Sequence, residues 1–267
     1  YSDKNTLKNN NASKNEYGIY MEHSGENTLT NNNASENEYG IYLCDKHSDN
    51  NLLTNNIANS NKKYGILLSG SDNNLLNNIA NSNNWGGIYL GGSDNNLLNN
   101  IANSNKKYGI LLSGPGGNTL KNNSASENKY GIYLYISDNN LLTNNIASKN
   151  EYGIYLGGSD NNLLTNNSAN SNNGCGIYLG YSDKNTLTNN TASDNDRGIY
   201  LIYSSGNTIY NNYFNNTFNA YDNGKNAWNI TKTPGRNIIN GPYLGGNYWH
   251  DYTGMDLDND GLGDTEL

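Results

Sequence analysis

Three small groups of residues in this chain have the types needed for chemistry. The first is Met21-Glu22-His23 together with Cys44-Asp45-Lys46-His47. Two imidazoles, a thiol and flanking carboxylates form a donor set for zinc or copper. His23, Cys44 and His47 are therefore candidate transition-metal ligands, provided the fold stacks the two segments. The competing reading is a pair of ordinary surface histidines in a variable turn. The second group is Asp194, Asp196 and Arg197, with Asp222 and His250 further on. Glycoside hydrolysis needs two carboxylates at a defined separation, and lyase chemistry on uronates needs a base beside a cation. These residues are too sparse for either, so no catalytic residue is assigned and the reading leans away from an enzyme.

The third group closes the chain. Asp256, Asp258, Asp260, Leu262 and Asp264 follow the D-x-D-x-D-G-x-x-D spacing of the first nine positions of an EF-hand-type calcium loop, with Leu262 offering its carbonyl. The match departs at its end, where Leu267 stands in place of the closing acid. Ca2+ is the expected cofactor, and a solvated acidic tail is the alternative.

The elements that must position these groups come from an internal repeat. The segment Ser137 to Gly158, SDNNLLTNNIASKNEYGIYLGG, recurs through most of the chain. An Asn two positions before a Leu returns at Asn5, Asn27, Asn51, Asn74, Asn96, Asn118, Asn140, Asn162, Asn185 and Asn207, a spacing of 22 to 24 residues. A second Asn column (Asn10 to Asn212), an Ala column (Ala12 to Ala192) and a closing Gly-Ile-x-Leu keep the same register. Ile154 and Leu156 point to one face of a strand and Tyr155 to the other. Short strands separated by Asn, Gly, Ser and Asp turns, with no helical period, predict a parallel β-helix. About ten coils of about 22 residues make a rod roughly 45 Å long. Such a coil holds too few apolar residues to fold alone, and stacking supplies the shared core.

The repeat assigns several residue types. Asn suits left-handed backbone at a turn, and stacked amides can hydrogen-bond along the rod. The Gly before each Ile marks positive φ or a close approach. The periodic Asp residues, such as Asp72, Asp94 and Asp160, read as a turn feature. Cys44 and Cys175 lie six coils apart, roughly 29 Å, too far to pair. Two aromatic columns run along the rod. One precedes the Gly (Tyr17, Tyr39, Tyr64, Tyr108, Tyr130, Tyr152, with Trp85 one residue out of step), and Cys175 and Arg197 interrupt it. The other faces out of the core and includes Tyr133, Tyr155, Tyr178 and Tyr200, the candidate face for a glycan or partner. Cross-coil stacking that only stabilises the rod is the competing role.

Composition narrows the function classes. The net charge of −8 and only two arginines argue against nucleic acid. Mean hydropathy of −0.85 would suggest disorder, but strict placement of the apolar residues overrides it. No membrane span or signal peptide is visible, and the chain opens at Tyr1 inside a repeat, which reads as a processed or excised fragment. Sequons at Asn11, Asn33, Asn122, Asn166, Asn189, Asn215 and Asn229 are candidate glycosylation sites, although the 62 Asn make chance matches common. Residues 1–216 are assigned to the repeats, and 217–267 to an irregular C-terminal cap and acidic tail. The first coil has no cap ahead of it, so rods stacking end to end is a candidate homo-assembly.

The spacing N-x-L-x-N-N-x-A-x-x-N-x-x-G-I-x-L resembles the parallel β-helix repeats of the NosD-like family, also called carbohydrate-binding and sugar-hydrolase repeats, over residues 2 to 216. Gly245 to Tyr252 resembles tails of archaeal cell-surface members. The resemblance implies a right-handed single-stranded parallel β-helix, in keeping with the usual hand of β-crossovers, and an extracellular or cell-surface location. The leading expectation is a structural or adhesive module that binds a polysaccharide or cell-envelope glycan on its aromatic face, with filaments expected if the uncapped first coil meets the cap of the next rod. The alternatives are a polysaccharide lyase or hydrolase, and a copper or zinc accessory protein using His23 and His47. The fold alone does not choose among them.

Overall fold

A computed structural model describes residues 2–114, 116–258 and 262–263, and contains no helix among them. The coil built around Asn140 to Ser159 stands for the rest. Leu141–Thr143 forms a short strand, Ile146 makes a single bridge, and Tyr152–Gly157 forms a longer strand. Each pairs in parallel with its equivalents one coil away. Leu142 lies opposite Leu120 and Leu164, and Ile154 opposite Ile132 and Ile177.

Repetition builds two ten-stranded parallel sheets. The leucine sheet runs from Thr6–Lys8 to Thr208–Tyr210, and the tyrosine sheet from Tyr17–Glu22 to Phe218–Asp222. A third face is held mostly by single bridges, and by strand pairing between Ile57 and Ile79 and where Thr191–Ser193, Tyr213–Asn215 and Tyr248–Trp249 align. This is the β-solenoid of about ten coils that the repeat predicts. No helix among the described residues is long and apolar enough to cross a membrane.

Leu142, Ala147, Ile154 and Leu156 are fully buried, as are their counterparts in the neighbouring coils. Three large aliphatic side chains contribute about 1.5–3 kcal/mol each. Ordering some twenty residues costs about 1–2 kcal/mol each in backbone entropy. One coil is therefore unstable alone, and the stack is the folding unit.

The turns are made by left-handed residues at fixed places: Asn139 (φ 57°), Asn144 (56°), Lys149 (59°) and Gly158 (59°) in this coil. Each is followed by a buried polar residue: Asn140, Asn145, Asn150 or Ser159. The left-handed backbone expected at the repeating Asn columns is thus carried one residue earlier. That residue turns the chain, and the Asn after it points into the corner. The Gly column resolves in favour of close approach. A Cβ on Gly131 would lie 2.6 Å from the Gly153 carbonyl oxygen, with no positive φ at Gly131.

The buried Asn side chains form ladders along the rod. Asn145 Oδ1 accepts from both the backbone N–H and the side-chain amide of Asn123 (3.0 and 2.8 Å). Its Nδ2 donates to the Leu120 carbonyl and to Asn167 Oδ1 (2.9 and 2.8 Å). An amide is the short side chain that both accepts and donates twice. A third ladder, through Asn128, Asn150, Asn172 and Asn195, lies just before the tyrosine sheet. The periodic Asp residues serve the turns as expected, for Asp138 accepts from the Asp160 N–H at 2.7 Å.

At the C-terminal end the ladders finish on residues outside the period. Asn207 donates to Asn226, Asn212 to Asn247, and Asn219 to Asp251. Trp249 stacks on the buried Phe214 at 4.8 Å, with Trp228 against it. An antiparallel pair, Thr233–Pro234 with Tyr243–Leu244, completes this region. Cys44 and Cys175 are both buried free thiols, as their separation predicts.

Candidate functional site

The outer face of the tyrosine sheet is the most organised surface of the molecule. The two aromatic columns lie side by side on it, because both Gly and Ile of each Tyr-Gly-Ile-Tyr segment turn inward and both flanking rings turn out. Tyr108, Tyr130 and Tyr152 follow one another at ring-centroid steps of 5.6 and 5.2 Å. Tyr155, Tyr178, Tyr200 and Tyr221 form a near-parallel stack at 4.3, 5.6 and 4.5 Å. Tyr133 meets Tyr155 edge-on at 4.8 Å. Ring contacts are thus continuous from Tyr108 to Tyr221.

In this arrangement neighbouring rings cover one another's faces. What the stack from Tyr155 to Tyr221 offers to solvent is edges and hydroxyls rather than open ring faces. Burial pushes the Tyr133 phenol up to about 12 and raises that of Tyr178. These hydroxyls stay protonated donors at any neutral pH. Leu67 and Leu111 replace tyrosines in the outer column, and Cys175 and Arg197 continue the inner one, with the Arg197 guanidinium 4.9 Å from the Tyr200 ring centre. Burial pushes the Cys175 thiol up to about 11. Trp85 is bulged out beside Gly86 and stacks on Tyr64 at 6.0 Å.

His23 and His47 are brought together, with ring centres 5.8 Å apart. The side chains whose donor atoms converge are Glu22, His23 and Asp45, all within 4.8 Å of one another. His23 Nε2 lies 3.4 Å from Asp45 Oδ2. His23 and Asp45 occupy the same left-handed turn position in successive coils (φ 46° and 74°), where Gly70, Gly92 and Gly114 stand further on. Cys44 takes a different place. Its Sγ lies 3.2 Å from the Tyr20 hydroxyl, and burial raises its pKa.

In the tail, Asp260 and Asp264 lie outside the described residues. The Asp258 carboxylate is 3.5 Å from Lys232 Nζ, a cation that a calcium ion would have to displace. Asp256 and Leu262 line a cavity of about 680 Å³ with Trp228, Trp249 and Tyr252. Asp222 is fully engaged, accepting from Gly224 N–H, Asn226 and the Trp228 indole at 2.8, 2.9 and 3.0 Å. Its role is to hold the cap. Asp196 pairs loosely with Arg197 at 3.9 Å, Asp194 occupies a left-handed turn, and His250 lines the same cavity. Of the sequons, Asn11, Asn33, Asn122, Asn166 and Asn229 are exposed, while Asn189 and Asn215 are half-buried. Asn226, Asn247 and Asp251, which end the ladders, carried no signal in the sequence because they fall off the period.

The model of a family described as periplasmic copper-binding protein (NosD) matches residues 1–102 and 87–254. The chain belongs to the NosD family. No curated protein matches it. Among solved structures, the periplasmic alginate epimerase AlgG is similar at 20% identity and a TM-score of 0.57, over 79% of this chain and 55% of that one. The A-module of the Azotobacter vinelandii mannuronan C-5 epimerase AlgE6 aligns at 15% identity and TM-score 0.65, over 83% and 72%. The Dettilon tailspike protein aligns at 17% and 0.52, over 79% and 55%. These likenesses establish the shared fold. The chain spans little more than half the length of the first and third.

The family description names copper, and the donor set can be tested against it. A thiolate–thioether set for Cu(I) does not converge. Met21 is buried in the core and the Cys44 thiol faces Tyr20. One imidazole with two carboxylates instead fits a borderline divalent ion such as Cu(II) or Zn(II). Among the described residues, Glu22, His23 and Asp45 are the group that would hold it.

Proposed function

We propose that this NosD-family chain is a polysaccharide-binding β-solenoid working outside the cytoplasm, and that the tyrosine-sheet face is its binding surface. The observation that carries this reading is the uninterrupted run of tyrosine ring contacts from Tyr108 to Tyr221 along this face. Donors repeated at the coil spacing suit a ligand that is itself a linear repeat. The support from comparison is that AlgG and AlgE6, which share the fold, are named for acting on alginate and mannuronan, and that the family description is periplasmic. Affinity electrophoresis through gels containing different polysaccharides tests it. Retardation by at least one polymer, reduced in Tyr178→Ala/Tyr200→Ala, is expected. Unretarded migration in every polymer would remove the reading.

A second reading rests on the convergence of Glu22, His23 and Asp45. These residues would bind one divalent ion at the N-terminal end of the rod, independently of the aromatic face. Calorimetric titration with Zn2+ or Cu2+ should give one site per chain, lost in Asp45→Asn. A titration without saturable heat would end it.

A further inference from the structure

Charge is unevenly spread over the rod. Residues 60–135 hold six lysines against three acidic residues, whereas the rest of the chain holds ten basic against 21 acidic. Five of those lysines, Lys62, Lys63, Lys106, Lys107 and Lys129, lie at the turn leading into the tyrosine sheet. Lys63, Trp85 and Lys107 occupy one column over three successive coils. Trp85 N–H donates to the Lys63 carbonyl and Lys107 N–H to the Trp85 carbonyl, both at 3.0 Å. The Trp85 side chain sits in the middle, 44% exposed, with Lys107 Nζ 5.7 Å from its ring centre. Lys107 also lies 4.8 Å from the Tyr108 ring and Lys129 5.6 Å from that of Tyr130.

Acidic residues close the strip at both ends. Glu38 holds Lys63 at 2.7 Å and Glu151 holds Lys129 at 3.8 Å. Glu127, two residues before Lys129, is bound by the Ser104 hydroxyl at 2.8 Å. Lys62, Lys106 and Lys107 make no ion pair among the described residues. Lys62 and Lys106 are exposed two coils apart, roughly 10 Å.

We infer that this edge binds an anionic polysaccharide, with carboxylates of the polymer on Lys62, Lys106 and Lys107 and a sugar against the exposed side of Trp85. The inference rests on the glycan-binding reading and adds the class of glycan. The acidic remainder of the surface repels a polyanion and so confines it to the strip. The strip contains no arginine, so its ammonium groups would meet the polymer's anions as point charges rather than as bidentate forks. Cations beside aromatic rings match a ligand that is both charged and apolar on its sugar faces.

The test uses the whole chain, with polygalacturonate as the anionic probe, dextran as the neutral one and duplex DNA as a different polyanion. Polygalacturonate should bind, and added salt should weaken it. Lys62→Gln/Lys106→Gln should weaken it about tenfold, while Lys121→Gln/Lys184→Gln, on other faces, should leave it unchanged. Exposed positions are chosen so that folding is preserved, and circular dichroism verifies this. Dextran bound as tightly as polygalacturonate, with no effect of Lys62→Gln/Lys106→Gln, would overturn the anionic class and leave the glycan reading standing. DNA bound as well as polygalacturonate would overturn the polysaccharide assignment. Failure to bind any polymer would overturn both.

Discussion

The interior corners and the outer tyrosine face obey opposite rules. Inside, Asn stands at the same three corners, because each corner leaves a backbone N–H that takes its bond from the Asn side chain of the next coil. Asn145 alone serves Asn123 and Leu120, and depends on Asn167 in turn. Outside, the register positions of Tyr155 and Tyr152 accept Leu, Cys and Arg in other coils. The difference teaches where this fold can carry a binding specificity. An inner position answers to the coil above and the coil below, whereas an outer one answers also to solvent and ligand.

The largest expected break of that comparison is Asn145→Ala. It leaves the Asn123 N–H buried without its partner, at about 1–3 kcal/mol, removes the amide that also donates to the Leu120 carbonyl and to Asn167, and should lower the thermal unfolding midpoint strongly. A midpoint unchanged from the parent would mean the ladders are not what holds the corners. Gly131→Ala comes next. Its Cβ would meet a backbone oxygen at 2.6 Å, and overpacking of that kind costs about 1–3 kcal/mol. On the outer face, Tyr178→Leu should cost only about 1 kcal/mol, the worth of an aromatic pair beyond its area. Urea unfolding of the two variants side by side checks the ranking.

Ile136 sharpens the contrast by reversing the sign. It is 57% exposed with φ 49°, at a turn where Gly114 and Gly158 stand one coil away on either side. Ile136→Gly should stabilise the rod by about 1 kcal/mol through relief of left-handed strain, seen as a higher unfolding midpoint. The last test is alkaline. The Cys175 thiol rises from 9.0 to about 11 and the Tyr133 phenol from 10.0 to about 12 on folding. Folded pKa values above the unfolded ones mean a contribution complete below pH 9 and lost as pH climbs through 11 to 12. The unfolding midpoint should hold up to about pH 9 and fall above it, with Cys175→Ala removing the earlier part of the fall.

Reading the sequence recovered the coil, its period, the inward Leu, Ala and Ile, and the outward tyrosines. Each of these is a one-coil property repeated ten times, so periodicity displays it. Two readings shifted in the structure. Left-handed backbone belongs to the residue before each inner Asn, since turning the chain and filling the corner are separate tasks. The donors that converge near the N-terminal end are Glu22, His23 and Asp45, because Cys44 is drawn to the Tyr20 hydroxyl. The ladder endings at Asn226, Asn247 and Asp251 left no trace in the period, for they arrive from the cap by an irregular path.

The chain alone therefore determined a solenoid, because a 22-residue repeat too poor in apolar groups to fold singly has stacking as its way to bury them. It also determined which side chains face in, because strand alternation allows two faces. Only the tertiary structure decided what those outer faces present. Stacking at the coil spacing turned the tyrosine faces against one another and their edges outward, and it set Lys63, Trp85 and Lys107 in one column. Residues some 22 positions apart become neighbours only through the register between coils, and that register is a property of the assembled rod.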